Sequence, residues 1–190
     1  GTGDLLFIND LFPKDWVSFF TGRDTEYLKA PSDAVRVGLF SDLANLEIVY
    51  TPRFDPDRYL TGERVSFYNP ALGRLSGRDA VQNPLVANDW FDDDEIAARL
   101  ARNVGGFELA AYGYHGRWKS PAGADAGSGR AIFPRLSVIG ASARTQIGGG
   151  IANAEVGYYD SRQDGDGSDP LIDNSQVRAL VGFERDLPEV

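Results

Sequence analysis

Residues 94–187 alternate apolar and polar side chains, and this alternation constrains the fold more than any other feature of the sequence. In the last segment, S-Q-V-R-A-L-V-G-F-E at 175–184, one alternate set is apolar and consists of Val177, Ala179, Val181 and Phe183. Apart from Leu180, the other set is polar or small: Gln176, Arg178, Gly182 and Glu184. Successive side chains of a strand point to opposite faces of its sheet, so the pattern predicts strands with one apolar and one polar face.

The same criterion predicts about eight strands along the chain. They lie at residues 2–8, 33–40, 46–51, 94–103, 107–114, 133–147, 151–161 and 175–186. Residues 94–103 also combine helix-forming residues with an acidic start, which is compatible with a short helix. The turn at 104–106 leads directly into another strand and favours the strand. A helical turn is further expected at 14–20.

The connections between the predicted strands alternate in length. Short turns lie at 41–45, 103–106 and 148–150, and long polar connections at 9–32, 53–93, 119–131 and 163–174. A soluble β-sandwich has no reason to sort its loops in this way. A barrel inserted into a membrane from one side does, with short turns towards the periplasm and long loops outside. The sequence therefore predicts an all-β, antiparallel up-and-down transmembrane β-barrel, or part of one, as a single domain over residues 1–190.

Composition narrows the classes of function. The formal net charge of -9 argues against nucleic acid as a partner. Cysteine is absent, which removes disulfides, thiolate metal sites and cysteine nucleophiles. No apolar run approaches the roughly 20 residues that a membrane helix needs. Methionine and an apolar leader are also absent, and we interpret the chain as a mature or trimmed piece of a longer protein, a segment of a larger barrel.

The polar sides of the predicted strands carry charges whose sign alternates from strand to strand. Opposite charges on neighbouring strands pair favourably, at about 0.2–1 kcal/mol each. On one wall of a barrel they would form a polar band in contact with water, because unpaired charges are not stable in hydrocarbon. The alternative is the solvated face of an ordinary sheet. We predict that the pore is lined by Arg36, Glu47, Arg99, Glu108, Arg144, Glu155, Arg178 and Glu184.

The opposite sides of these strands supply a set of apolar residues that suits contact with lipid: Val35, Val37, Leu39, Ile48, Ile96, Leu100, Leu109, Ile139, Ala141, Ala143, Ala154, Val156, Val177, Val181 and Phe183. A charge on a lipid-facing position costs about 2–4 kcal/mol at the middle of the bilayer, so such positions should be apolar. A sandwich core would exclude charges equally. Aromatic residues near the loop-side strand ends further predict a girdle at the membrane interface, formed by Tyr50, Phe54, Tyr114, Trp118, Phe133, Tyr158 and Tyr159.

Two resemblances point to one class of protein. The hairpins over 107–187 resemble bacterial outer-membrane porin-type barrels in their pattern. A family of poorly characterised porin-like proteins of Gram-negative bacteria is similar in G-T-G-D-L-L-F-I-N-D-L-F-P, E-Y-L-K-A-P-S-D-A-V-R and V-Y-T-P-R-F-D-P-D-R. The resemblance implies a channel in the bacterial outer membrane that contacts lipid and passes small solutes. Members of the family are longer, and a homo-oligomer is one option for the assembly.

Residues that could carry other chemistry are few. His115 is the only histidine, and with no second His or Cys we predict no transition-metal site. Residues 164–169 (D-G-D-G-S-D) are similar to a calcium loop, but Ser175 stands where the bidentate Glu is expected, so we predict a flexible acidic loop. No catalytic cluster is evident, and we expect neither an enzyme nor a cofactor.

Two further expectations concern the loops. The loop at 53–93 is the candidate for an inward constriction, where positive charge would favour anionic solutes through Arg53, Arg58 and Arg64. The alternative function is a soluble β-sandwich binding module, for carbohydrate or a similar ligand, using Tyr68, Trp90 and Trp118.

Overall fold

The computed structural model describes residues 8–69 and 72–185. A short helix, α1, spans Trp16–Phe20 where a helical turn was expected, and a 3₁₀ turn spans Thr25–Leu28. The strands are β1 (Val35–Phe40), β2 (Asn45–Thr51), β3 (Phe67–Asn69), β4 (Arg74–Ser76), β5 (Glu95–Val104), β6 (Phe107–Arg117), β7 (Gly123–Ala124), β8 (Ala131–Ile132), β9 (Arg135–Ile147), β10 (Gly150–Ser161) and β11 (Gln176–Glu184). Within the described ranges, neither helical segment has the length and apolarity needed to cross a membrane.

Seven strands form one antiparallel sheet in the order β1-β2-β5-β6-β9-β10-β11. Neighbours in the sheet are also successive long strands along the chain, so the sheet is an up-and-down meander. The all-β prediction is confirmed, and β5 is a strand rather than a helix. No closed barrel forms from the described residues, and β1 and β11 are the edges of this sheet. The strand predicted at 2–8 lies outside the described residues except for Ile8.

The long connections contain two small hairpins, which the sequence prediction missed. Strands β3 and β4 pair within the loop at 53–93, and β7 pairs with β8 between β6 and β9. Strands of two or three residues are too short for the alternation of apolar and polar side chains to become visible.

Glycines fix the register where two long hairpins turn. Gly105 and Gly106 adopt φ values of 57° and 85° between β5 and β6, and Gly148 and Gly149 adopt 60° and 75° between β9 and β10. Two successive positive φ values define the tight hairpin turn whose twist suits the flanking strands, and glycine adopts them without strain. A slip of one residue would move every side chain to the opposite face, so these turns also determine which residues face which way.

The hydrophobic core lies on only one face of the sheet. Its buried residues are Ile8, Tyr114, Trp118, Ala122, Leu136, Val138 and Tyr159. Residues 8–14, together with parts of the loops at 52–60 and 118–122, pack over this face at the end of the strands where the long connections lie. We call it the covered face, and we call the opposite one the bare face.

Candidate functional site

The bare face is apolar, and it is exposed on every strand of the sheet except β2, where it is half-buried. One row follows the register from edge to edge through Val37, Ile48, Ala98, Gly113, Ile139, Tyr158 and Val177. The next row holds Leu39, Leu46, Leu100, Ala111, Ala141, Val156 and Ala179. Exposure reaches 67% for Ile139, 71% for Val177 and 87% for Val181. This surface resembles the inside of a protein, yet no described residue covers it.

Polar residues appear on the bare face near the ends of the strands. Towards the long loops, the register aligns His115 with Ser137 and Ser137 with Asp160. His115 Nδ1 lies 2.9 Å from Ser137 Oγ at an exposed position, as expected for a solvated histidine. Towards the turns, Arg102 is the charged residue. The face is therefore an apolar band with polar margins, and its four central strands, β5, β6, β9 and β10, have 10 to 13 residues each.

All eight charges predicted to line a pore lie on the covered face. The register places Glu47 beside Arg99 and Glu108 beside Arg144. Ion pairs join Arg36 to Glu47, and Arg99 Nη2 to Glu108 Oε1 at 2.7 Å. Two lateral pairs of opposite charge, Arg36–Glu47 and Arg99–Glu108, therefore form between adjacent strands. Their role in lining a pore remains a prediction.

Two more of the eight charged residues, Arg178 and Glu155, contact groups other than the charges on neighbouring strands. The Arg178 guanidinium lies 4.1 Å from the ring centre of Tyr159 and 5.4 Å from that of Trp118, which stack on each other. The side chain of Glu155 is buried. Its Oε2 accepts hydrogen bonds from the Ile8 and Asn9 backbone N–H groups at 3.0 and 3.1 Å and from Asn9 Nδ2 at 3.2 Å. Glu155 therefore holds residues 8–9 on the sheet.

Two mid-strand glycines let the segment 8–14 approach the sheet closely. A Cβ at Gly140 would lie 1.9 Å from Asn9 Oδ1, and one at Gly157 would lie 2.9 Å from Ile8 Cγ2. Any larger residue would push the segment away. The segment continues over the core through Leu11 and is tied to the loop at 53–93 where the Lys14 N–H donates to Asp57 Oδ1 at 2.7 Å.

A buried ionic cluster lies at the loop-side end of the covered face. Lys119 Nζ donates to both oxygens of Glu95 at 2.7 and 2.6 Å, and the Tyr114 hydroxyl donates to Glu95 Oε1 at 2.5 Å. Burial lowers the pKa of Lys119 even though the Glu95 carboxylate acts in the opposite direction. The lysine also donates to the Asp55 carbonyl at 3.1 Å, so the cluster attaches the loop at 53–93 to the sheet.

A cavity of about 40 Å³ remains between the segment 8–14 and the sheet. Polar side chains at its wall include Asn9, Glu47, Arg99 and Tyr112. Asn9 Oδ1 and Arg99 Nε are buried there without a hydrogen-bond partner. The volume suits a few water molecules, which would satisfy these two groups.

The predicted aromatic girdle is largely wrong. Phe54, Tyr114, Trp118, Phe133 and Tyr159 are buried in the protein rather than exposed at the rim of the bare face. Only Tyr50 and Tyr158 fit the prediction, since both belong to the bare face. Burial also removes Trp118 from the set of loop aromatics considered for carbohydrate binding, whereas Tyr68 and Trp90 remain exposed.

Two of the three arginines predicted to act in the loop at 53–93 have local contacts. Arg53 lies over the Trp90 ring at 5.2 Å, and Arg58 Nη1 pairs with Asp15 Oδ2 at 3.3 Å. The beginning of this loop packs inward, where Phe54 contacts Phe133 with ring centres 5.2 Å apart. The short hairpin β3–β4 follows within the same loop.

Comparisons of the chain with protein-family models, with curated proteins and with solved structures found no match. Within residues 8–69 and 72–185, no three His, Asp or Glu side chains converge as a metal centre would require. The proposed function therefore rests on the geometry of the two faces of the sheet.

Proposed function

We propose that the chain forms part of the wall of a bacterial outer-membrane β-barrel, a porin-like channel for small solutes. The observation that carries the proposal is the bare face, where apolar side chains are exposed on six of the seven strands of the sheet and half-buried on β2. Soluble monomers rarely expose contiguous apolar patches larger than a few hundred Å². Hydrocarbon is the environment in which such a surface is stable, and strands of about 9–11 residues are sufficient to cross it.

If the bare face contacts lipid, the covered face lines the lumen of the barrel. Two ion pairs, Arg36–Glu47 and Arg99–Glu108, form along it, so this part of the wall can face water without isolated charges. The segment 8–14 and the inward start of the loop at 53–93 narrow the space on this side. Passage is diffusive, and solutes are selected by size at these segments and by charge along the paired wall.

Planar-bilayer recording of the full-length protein tests the channel. Stepwise ion conductance above the protein-free background is expected, with a selectivity that changes when lumen charges are neutralised. Absence of any current from protein that has inserted into the bilayer would overturn the channel while leaving the membrane location open.

One observation favours a second function, a soluble β-sandwich binding module. The bare face has the character of a surface that a second sheet covers in a sandwich, and Tyr68 and Trp90 remain exposed in the loops. The two proposals differ in solubility. A monodisperse monomer or dimer of the full-length protein in detergent-free buffer would support the sandwich, whereas dependence on detergent would support the barrel.

A further inference from the structure

The loop between β10 and β11 contains a buried carboxylate with an unused oxygen. Asp164 is only 3% exposed. Its Oδ1 accepts from the backbone N–H groups of Ser168 at 2.9 Å and Asp169 at 3.1 Å. Its Oδ2 is buried and has no hydrogen-bond partner. A buried anionic oxygen without a partner is unfavourable, so this site lacks a positively charged or hydrogen-bonding group.

A second carboxylate lies beside the first. Asp166 Oδ1 accepts from the Ser168 hydroxyl at 2.9 Å. Hydrogen bonds from the Ser168 side chain and backbone lower the pKa of Asp166, although burial opposes them, and contact with the Asp164 side chain contributes. The two carboxyl groups are therefore in contact, and a bound cation would compensate their charge when both are ionised.

Neutral oxygens complete the surroundings. The backbone turns at Gly167, whose φ is 70°, and a Cβ there would lie 3.4 Å from Asn174 Oδ1. The amide of Asn174 therefore lies beside Gly167, and the hydroxyl of Ser168 contacts Asp166. Ser175, at the position where calcium loops have a glutamate, is already used, since its Oγ accepts from the Ser161 N–H at 3.0 Å.

We infer that the loop 164–174 binds Ca²⁺, with Asp164 Oδ2 as the central ligand and Asp166 as the second carboxylate. Ca²⁺ takes six to eight oxygen ligands and accepts amide, hydroxyl, carbonyl and water oxygens alongside carboxylates. A site with two carboxylates agrees with the lack of three converging acidic side chains in the described part of the chain. Without a bidentate glutamate the site belongs to the weak class, with Kd on the order of 10⁻⁴–10⁻³ M.

Calorimetric titration of the full-length protein with CaCl2 tests this inference, which does not depend on the channel. Saturable binding in that range is expected, with weaker binding of MgCl2. Asp164→Asn keeps an acceptor for Ser168 and Asp169 but removes the charge, and it should weaken Ca²⁺ binding at least tenfold. Asp166→Asn should also weaken Ca²⁺ binding. Because Asp166 is exposed, this variant tests the site even if Asp164→Asn misfolds.

Asp125→Asn is the matched control, since Asp125 Oδ2 accepts from the Ser128 N–H and hydroxyl at 2.8 and 2.7 Å in another loop. This variant should bind Ca²⁺ as the parent does. Without Ca²⁺, Asp164→Asn should melt at the same or a higher temperature than the parent, because it removes a buried uncompensated charge. Absence of saturable binding by the parent, or equal weakening in Asp164→Asn and Asp125→Asn, would overturn the site.

Discussion

The two faces of the sheet reverse the usual relation between polarity and burial. On the bare face, Val181 is 87% exposed, whereas on the covered face Glu95 and Glu155 are 5% and 4% exposed. Buried charges require partners, and these glutamates have them in Lys119, Tyr114 and the segment 8–9. The comparison shows that this chain buries the loop-side part of its polar face under its own loops and leaves its apolar face for another medium or another layer.

The largest loss of stability is expected at the buried ion pair between Glu95 and Lys119. Replacing Glu95 by Gln leaves the Lys119 ammonium buried without a counter-charge, and loss of one partner of a buried ion pair costs about 3–5 kcal/mol. Chemical unfolding in detergent micelles measures the loss. Combining Glu95→Gln with Lys119→Met should recover most of it, since the buried charge is removed. A loss below 1 kcal/mol for the single variant would contradict a tightly closed covered face.

The next largest change in stability tests whether the bare face contacts lipid or water. Val156→Arg places a charge in the middle row of the bare face, and in a bilayer it should lower the free energy of unfolding by about 2–4 kcal/mol near the midplane. If the bare face contacted water, the change would remain within about 0.5 kcal/mol. Gln146→Arg, at an exposed position of the covered face, is the control and should have little effect in either medium. Unfolding of the full-length protein in lipid vesicles provides the measurement.

Close packing of the segment 8–14 gives a smaller effect. Gly140→Ala brings a Cβ to 1.9 Å from Asn9 Oδ1 and 2.8 Å from the Val156 carbonyl oxygen. Overpacking of this kind costs about 1–3 kcal/mol, and amide exchange at Ile8 and Asn9 should accelerate as the segment lifts. Gly113→Ala is the matched control, because a Cβ there has no atom within 4 Å. Equal exchange rates in both variants would show that the segment is not held by the sheet.

The smallest effect concerns the lateral charge pairs. Glu108→Gln removes the ion pair with Arg99, and because the Glu108 side chain is 43% exposed the stability loss should stay below about 1 kcal/mol and shrink in salt. In the proposed channel the same substitution shifts ion selectivity towards anions, which reversal potentials across a salt gradient measure. An unchanged reversal potential would separate this charge from the conduction path.

Alternation and turn glycines were sufficient to predict the long strands and the side on which each charge lies. The alternation of side chains along a strand would also have corrected the prediction of the aromatic girdle. Tyr158 and Tyr159 are adjacent and must point to opposite faces, and the structure exposes the first while burying the second. Assigning aromatics by their distance from the strand end ignored this alternation.

The sequence could not predict which segments pack over the covered face, because an irregular segment has no hydrophobic periodicity that indicates its packing partner. Gly140 and Gly157 did carry a signal, since glycine within a strand often marks the close approach of another backbone. That signal identifies the place of approach but not the approaching segment. The pairing of Glu95 with Lys119 likewise joins residues whose sequence context contains no motif.

The direction of the edge strands limits how this sheet can be completed. Seven strands that alternate in direction leave β1 and β11 pointing the same way, so direct closure would produce one parallel seam. A cylinder with antiparallel pairing throughout must instead recruit an odd number of additional strands. A single extra strand inserted between the two edges satisfies this count, whereas a second copy of the sheet in the same membrane orientation would again place parallel strands at both seams.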